Sequence, residues 1–273
     1  MKSVLLRLFG INIYGYGTMI AIGICAALLL LNYRARKRQY DEDSVLNMSM
    51  LAIILGIMGG KLLYILTDIK AIIADVSILA EVGSGFVIYG AIIGGVLGVF
   101  IYSKRKGWDV LRIFDLVIPA VPLAQGFGRI GCFLAGCCYG SPTNLTIGVQ
   151  FPEDSLYAPS GIHLHPTQIY SSIFDFALAF FLLWYDKKER KKGRLFSMYV
   201  IIYSVGRFFV EFLRDDPRGS VGIFSTSQFI SIFTVIIGIV LFNIHRIKKN
   251  ESTDVISTLL EAGEEKNESV DQM

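Results

Sequence analysis

Arg129, in LAQGFGRIGCF, and Arg207 with Glu211, in YSVGRFFVEFLR, are charges set inside otherwise apolar stretches. Burying such a charge is costly unless it is paired or lines a wet cavity, so an ionisable group at membrane depth marks a functional site. Guanidinium groups stay charged and grip phosphate oxygens through parallel hydrogen bonds, which points to an anion handled within a bilayer. Arg207 and Glu211 are one helical turn apart, so they share a face and can pair. Tyr203 lies one turn earlier on that face.

The elements that must carry these residues are membrane helices. Of the 273 residues 53% are apolar, and the charges gather in short clusters between long apolar runs that leave no room for a sizeable soluble domain. A net charge of +3, divided among short loops, gives no footprint for nucleic acid and leaves lipids and membrane-bound chains as partners. Hydropathy predicts an all-α polytopic protein of about seven transmembrane helices. The spans fall near 11–31, 46–66, 86–102, 113–127, 169–185, 195–213 and 228–242. The fourth carries Asp115, Pro119, Pro122 and Gly126, the pattern of a broken helix. Basic clusters follow every second span: Arg34 to Arg38, Lys104 to Lys106, Lys187 to Arg194, and Arg246 to Lys249. By the positive-inside rule the N-terminus is outside and the C-terminus cytoplasmic. The first span is too long, and lacks the small-residue site, for a cleaved signal peptide. Residues 1–250 therefore form one membrane domain, and residues 251–273 form an acidic, disordered cytoplasmic tail.

The connection at about 128–167 is the chemically richest segment. It brings Arg129, Cys132, Cys137, Cys138, His163 and His165 to the outer face, and connections of this length are usually functional. Three readings of the cysteines stand side by side: a zinc site with the HLH histidines, a disulfide with one thiol left over, or packed thiols. Cys25 reads as a small packing residue, and His245 as one more residue of a basic cluster. The small-xxx-small spacings in GIMGGK and YGAIIGGVLG predict close helix packing. No internal repeat suggests the inverted halves of a transporter.

YGYGTM, FDLVIPAVPLAQGFGRIG, Gly140, HPTQIY and YSVGRFFVEFLRDDPRG together resemble the prolipoprotein diacylglyceryl transferase family, in that family's order and across nearly the whole membrane portion. The resemblance implies a bacterial inner-membrane enzyme that needs no cofactor or metal. Its substrates are phosphatidylglycerol and the signal-peptide region of a prolipoprotein. The diacylglyceryl group moves to the lipobox cysteine thiol as a thioether, and glycerol 1-phosphate leaves. Non-family readings of the same charges are a transporter of an anionic lipid or metabolite, or a membrane thiol oxidoreductase, though the C-x-x-C pair of the latter is missing.

By the same resemblance Arg129 binds the lipid head group, Arg207 stabilises the leaving group and Glu211 orients it. Tyr16, Tyr203 and Asp115 join the substrate-binding set, and Gly140 closes the signature loop through its backbone. Each has a plainer reading. Arg129 snorkels to lipid phosphates, Asp115 caps a helix, and the tyrosines anchor at the interface. His165 heads the HPTQ element and is either a turn residue before Pro or a proton carrier with a pKa of about 6.5. The chain departs from the family pattern in two places. Tyr89 stands where a histidine is expected, and Cys132, Ala135 and Cys137 stand where Asn, Asn and an acidic residue are. A thiol with a pKa of about 8.5 must lose its proton to attack. Tyr89 can accept it only if cations such as Arg207 lower its own pKa of about 10, and otherwise Glu211 or His165 takes that role.

Overall fold

The computed structural model describes residues 4–8, 11–74, 85–153, 155, 157–188, 191–216 and 219–243. The expected acidic tail, His245 and the basic cluster from Arg246 to Lys249 lie outside the described residues. A hairpin of β1 (Val4–Leu8) and β2 (Ile11–Tyr14) runs directly into helix α1 (Gly15–Lys37). Then come α2 (Glu42–Thr67), short α3 (Ile69–Ala74), α4 (Ile88–Arg105), α5 (Val110–Val117) and α6 (Ala120–Ala135). The two-residue strands β3 (Val149–Gln150) and β4 (His163–Leu164) pair within the connection to α7 (Thr167–Tyr185). Helix α8 (Arg194–Glu211), a ribbon of β5 (Ser220–Val221) and β6 (Phe224–Ser225), and α9 (Thr226–Asn243) follow.

The architecture is that of an all-α membrane protein with three small ribbons. Five segments are long and apolar enough to cross a membrane: α1, α2, α5 with α6, α7 and α9. The other two expected spans are the 18-residue helices α4 and α8. One ends on Lys104 and Arg105 and the other carries Arg194, Arg207 and Glu211, which dilutes their apolar character. Leu29, Ile73, Phe180, Trp184 and Phe209 project outward, 64% to 75% exposed. An apolar surface on that scale is what lipid, rather than water, solvates.

The fourth span is broken as its prolines predict. Helix α5 stops at Val117 and α6 restarts after buried Pro119, whose missing N–H costs nothing at a helix start. The restarted helix runs on to Ala135. Arg129 and Cys132 therefore lie on a helix, and the long connection begins at Gly136 rather than Gly128. Helices α2 and α4 meet along glycines, where a Cβ on Gly59 would sit 2.3 Å from the Gly90 carbonyl oxygen and one on Gly94 would sit 2.0 Å from that of Leu55. That approach is closed to any larger residue.

Buried Arg34 ties one end of the bundle together. Its guanidinium donates to the carbonyls of Leu116 and Asp115, each at 2.9 Å, and pairs with Asp186 at 3.0 Å. It thus joins α1 to the C-terminal carbonyls of α5 and to the end of α7. What sequence patterning reads as one of a cytoplasmic cluster of charges is here a structural bolt.

Candidate active site

At the other end of the bundle, α6, α7 and α8 enclose a narrow cleft lined by Arg129, Ser171, Phe174, Asp175, Tyr203, Gly206, Arg207 and Val210. The four-residue periodicity of α8 puts Tyr203, Arg207 and Glu211 on one face, as expected. Glu211 is buried and pairs with Arg207 at 2.7 Å. Arg207 also donates to Ser227 Oγ at 3.1 Å. The Ser225 hydroxyl donates to Glu211 at 2.7 Å while accepting from the Gln228 N–H at 3.2 Å, and the Gln228 side chain accepts from the Ser225 N–H at 3.1 Å. This reciprocal capping box starts α9 and braces the ion pair. The Tyr203 ring stacks on Tyr199 with centroids 5.4 Å apart.

Arg129 enters the cleft from α6. No hydrogen bond or ion pair among the described residues reaches its guanidinium, whose Coulombic neighbours include Tyr203, Cys132, Cys138 and Asp175. Asp175, on α7, is 2% exposed and lies within Coulombic reach of both Arg129 and Arg207. Sequence reading passed it over inside YSSIFDFALAF, although the rule that singled out the arginines applies equally to a lone carboxylate in an apolar run. When ionised, it offsets the repulsion between two guanidiniums that share a cleft.

The long connection is clamped over this end. Thr167 Oγ1 donates to the Cys138 carbonyl at 2.8 Å and Gln168 Nε2 to that of Cys137 at 2.7 Å. The HPTQ element thus holds the GCCYG turn after α6 in place. Gly140 N–H donates to the His165 carbonyl at 3.0 Å and Ser141 N–H to that of Leu213 at 2.9 Å. A Cβ on Gly140 would lie 2.6 Å from the Leu213 carbonyl oxygen and 2.7 Å from His165 Cβ, so only glycine fits between these two segments. Tyr16 packs against Gly131, where a Cβ would come within 3.2 Å of its ring.

Like Glu211, Tyr16 and Gly140, the expected site residues Asp115, His165 and Tyr89 are not part of the cleft lining. Asp115 sits at the opposite end of α5 and α6, where its carboxylate accepts from the N–H groups of Gly193 at 2.6 Å and Phe196 at 2.8 Å. His165 faces Tyr170, with Nδ1 3.3 Å from the hydroxyl, while its backbone holds Gly140 and Ser141. Tyr89 is the second residue of α4, which packs on α2. Arg207 pairs with Glu211 and donates to Ser227, and Tyr89 does not line its cleft. A second hollow, between α1 and α2, is lined by Leu28, Asn32, Glu42, Asp43 and apolar neighbours and has no cation to meet a phosphate.

All four cysteines are free. Cys25 is exposed on α1 rather than packed inside. The sulfurs of Cys132, Cys137 and Cys138 lie within 4.8 Å of one another. His163 takes no part and is exposed on β4.

A helical bundle that spans a membrane and closes a paired-arginine cleft beneath an ordered loop is an integral membrane protein equipped for an anionic group. Residues 3–244 match the family model described as prolipoprotein diacylglyceryl transferase, and the chain belongs to that family. It is 67% identical over 249 residues to the phosphatidylglycerol–prolipoprotein diacylglyceryl transferase of Clostridium tetani, covering 91% of this chain and 100% of that protein. A Clostridium perfringens protein with the same name and the number 2 is 58% identical, with 93% and 99% covered. The Clostridioides difficile transferase is 35% identical, with 92% and 98% covered.

Proposed function

We propose that this chain is a multi-pass enzyme of the bacterial inner membrane that transfers the diacylglyceryl group of phosphatidylglycerol to the lipobox cysteine of a prolipoprotein. The N-terminus and the cysteine loop face outward, and the C-terminus lies in the cytoplasm. The observation that carries this reading is the meeting of Arg129 and Arg207 in one buried cleft, in a chain of this family.

The thiolate sulfur attacks the glyceryl carbon that bears the phosphate. A C–S bond forms as the C–O bond breaks, and the electron pair leaves with glycerol 1-phosphate. Arg129 and Tyr203 receive the head group, Tyr16 flanks its entry, and Arg207 meets the charge that accumulates on the departing phosphate. Fixed cations in a water-poor cleft lower that barrier because they need no reorganisation when the charge appears. Glu211, held by Ser225, fixes the Arg207 fork. Asp115, His165 and Gly140 position helices and loop around these groups.

The test is mass spectrometry of a lipobox peptide incubated with phosphatidylglycerol and purified protein. A diacylglyceryl mass gain that disappears in Arg129→Ala and Arg207→Ala supports the reading. Movement of the lipid across a vesicle bilayer without a covalent product would replace transfer by transport.

A further inference from the structure

We infer that the Asp175 carboxylate takes the proton of the incoming lipobox thiol. The inference rests on the transferase reading above and supplies the base that reading needs.

Packing aims Asp175 into the site. Its two neighbours on α7 each press on a glycine: a Cβ on Gly206 of α8 would lie 2.3 Å from the Phe174 ring, and one on Gly126 of α6 would lie 2.6 Å from that of Phe176. Successive residues of a helix are about 100° apart, so the side chain between these two faces the seam where α6 and α8 meet, and it lines the cleft there. Ser172 Oγ donates to the Gly126 carbonyl at 2.9 Å and fixes the height of α7 against α6. From that bond Asp175 is three residues further from the outer loop and Arg129 three residues nearer to it, an offset of about 9 Å along the bundle. Opposite charges that share the cleft are thereby held apart, with the space between them open to a substrate.

The carboxylate is 2% exposed, and no hydrogen bond or ion pair among the described residues reaches it. A buried carboxylate without a partner is costly to keep, and one at membrane depth marks a function. The groups that face it are Arg129 from α6 and Tyr199, Tyr203 and Arg207 from α8, two cations and two phenols. Other acceptors are engaged or lie elsewhere. Glu211 pairs with Arg207 and accepts from Ser225. Ser171, in the lining, donates to the Thr167 carbonyl, and His165 stands against Tyr170 outside it.

The step balances over one turnover. The peptide S–H gives its proton to an Asp175 oxygen, and the thiolate attacks the glyceryl carbon beside the phosphate that Arg129 and Arg207 hold. A C–S bond forms, the C–O bond breaks, and the electron pair leaves on the phosphate oxygen. A phosphate monoester has a second pKa of about 6, so the departing dianion accepts the proton from Asp175 and carries it out. The carboxylate is restored, and no further reactant is consumed.

The probe is a lipobox peptide made with cysteine or with selenocysteine, whose selenol is already ionised at neutral pH and needs no base. With the unmutated protein in mixed micelles of detergent and phosphatidylglycerol, transfer to the cysteine peptide should fall as pH drops through the ionisation of Asp175, because only the ionised carboxylate can accept. Transfer to the selenocysteine peptide should not follow that fall. Asp175→Asn should lose about 10²- to 10⁴-fold with the cysteine peptide, the usual worth of a placed base. It should lose far less with the selenocysteine peptide, and the loss common to both measures the counter-charge alone. Asp175→Glu keeps an acceptor and should recover part of the cysteine rate. Equal losses with the two peptides, or coincident pH profiles in the unmutated protein, overturn the base and leave the transferase reading standing. The second comparison uses no variant and does not depend on how one folds. Absence of a lipidated product from the unmutated protein with either peptide overturns the transferase reading itself.

Discussion

The Asp115 carboxylate on α5 accepts the N–H of Phe196, the third residue of α8, at 2.8 Å, and that of Gly193 just before the helix at 2.6 Å. These are the two donors that a capping box satisfies from within its own helix. Gly193 has no side chain with which to do so. Asp115 therefore sets the start of the helix that ends in Tyr203, Arg207 and Glu211, and acts on the site from its far end. Replacing it by Ala removes a buried cap, for which a cost of about 1–2 kcal/mol is typical. Thermal unfolding in detergent should show the loss, while phosphatidylglycerol still binds at the remote cleft. Unaltered stability would argue against the capping role.

Arg207 and Glu211 should fail differently. Arg207→Ala removes the cation that meets the leaving phosphate, and transfer should fall by about 10²- to 10³-fold. Glu211→Ala leaves Arg207 without its buried partner, a loss of about 3–5 kcal/mol in comparable pairs. Glu211→Gln keeps an acceptor for Ser225 and should recover part of the activity. The three rates, measured with the lipobox peptide, distinguish orientation from charge.

Asp175→Asn takes a negative charge out of a cleft shared by two arginines. Head-group affinity should rise, because one competitor of the phosphate for the guanidiniums is removed while the Arg207–Glu211 pair remains, and turnover should fall as Arg129 and Arg207 lose part of their counter-charge. KM and kcat decreasing together is the expected signature. A higher KM would show that Asp175 contributes to binding.

Gly140→Ala drives a methyl group into the Leu213 carbonyl, 2.6 Å away. Transfer should collapse with every charged cleft residue intact. Protease sensitivity of the outer loop should rise, since the contacts to His165 and Leu213 are what hold it.

At the opposite end, the Lys192 hydrogen bond to Asp109 holds that carboxyl below the usual range. A depressed folded-state pKa contributes stability that is present above the unfolded value of about 3.9 and is lost as pH falls through the folded one. Asp109→Asn should therefore lower the melting temperature slightly near neutrality, an exposed pair being worth about 0.2–1 kcal/mol. The difference from the unmutated protein should close in acid. A gap that persists in acid would show that the effect does not come from the ionised pair, since Asn keeps the acceptor for the Leu111 and Arg112 N–H groups.

Much of the site was legible because its signals are local. Arg207 and Glu211 pair at helical spacing, and the glycines of α2 and α4 lie where small-residue spacing puts a close contact. Asp175 was equally visible as a carboxylate in an apolar run. Asp115 was not legible in its role, since a cap supplied by another helix leaves no mark on either segment. The extension of α6 through Arg129 and Cys132 was obscured by the glycines of GFGRIG, which lower helix propensity but do not override packing against α1 and α7.

The sequence by itself determined that this is an apolar helical chain with charges at membrane depth, because hydropathy and the cost of burying charge act residue by residue. It also determined the family, because several spaced motifs recur together. Only the tertiary structure decided which charges meet. Arg129, Asp175 and Arg207 come from three helices, and the sulfurs of Cys132, Cys137 and Cys138 converge through a helix cap and a left-handed turn that HPTQ holds from another segment. Contacts of that kind depend on how helices pack and on where backbone carbonyls find donors, and no local pattern encodes them.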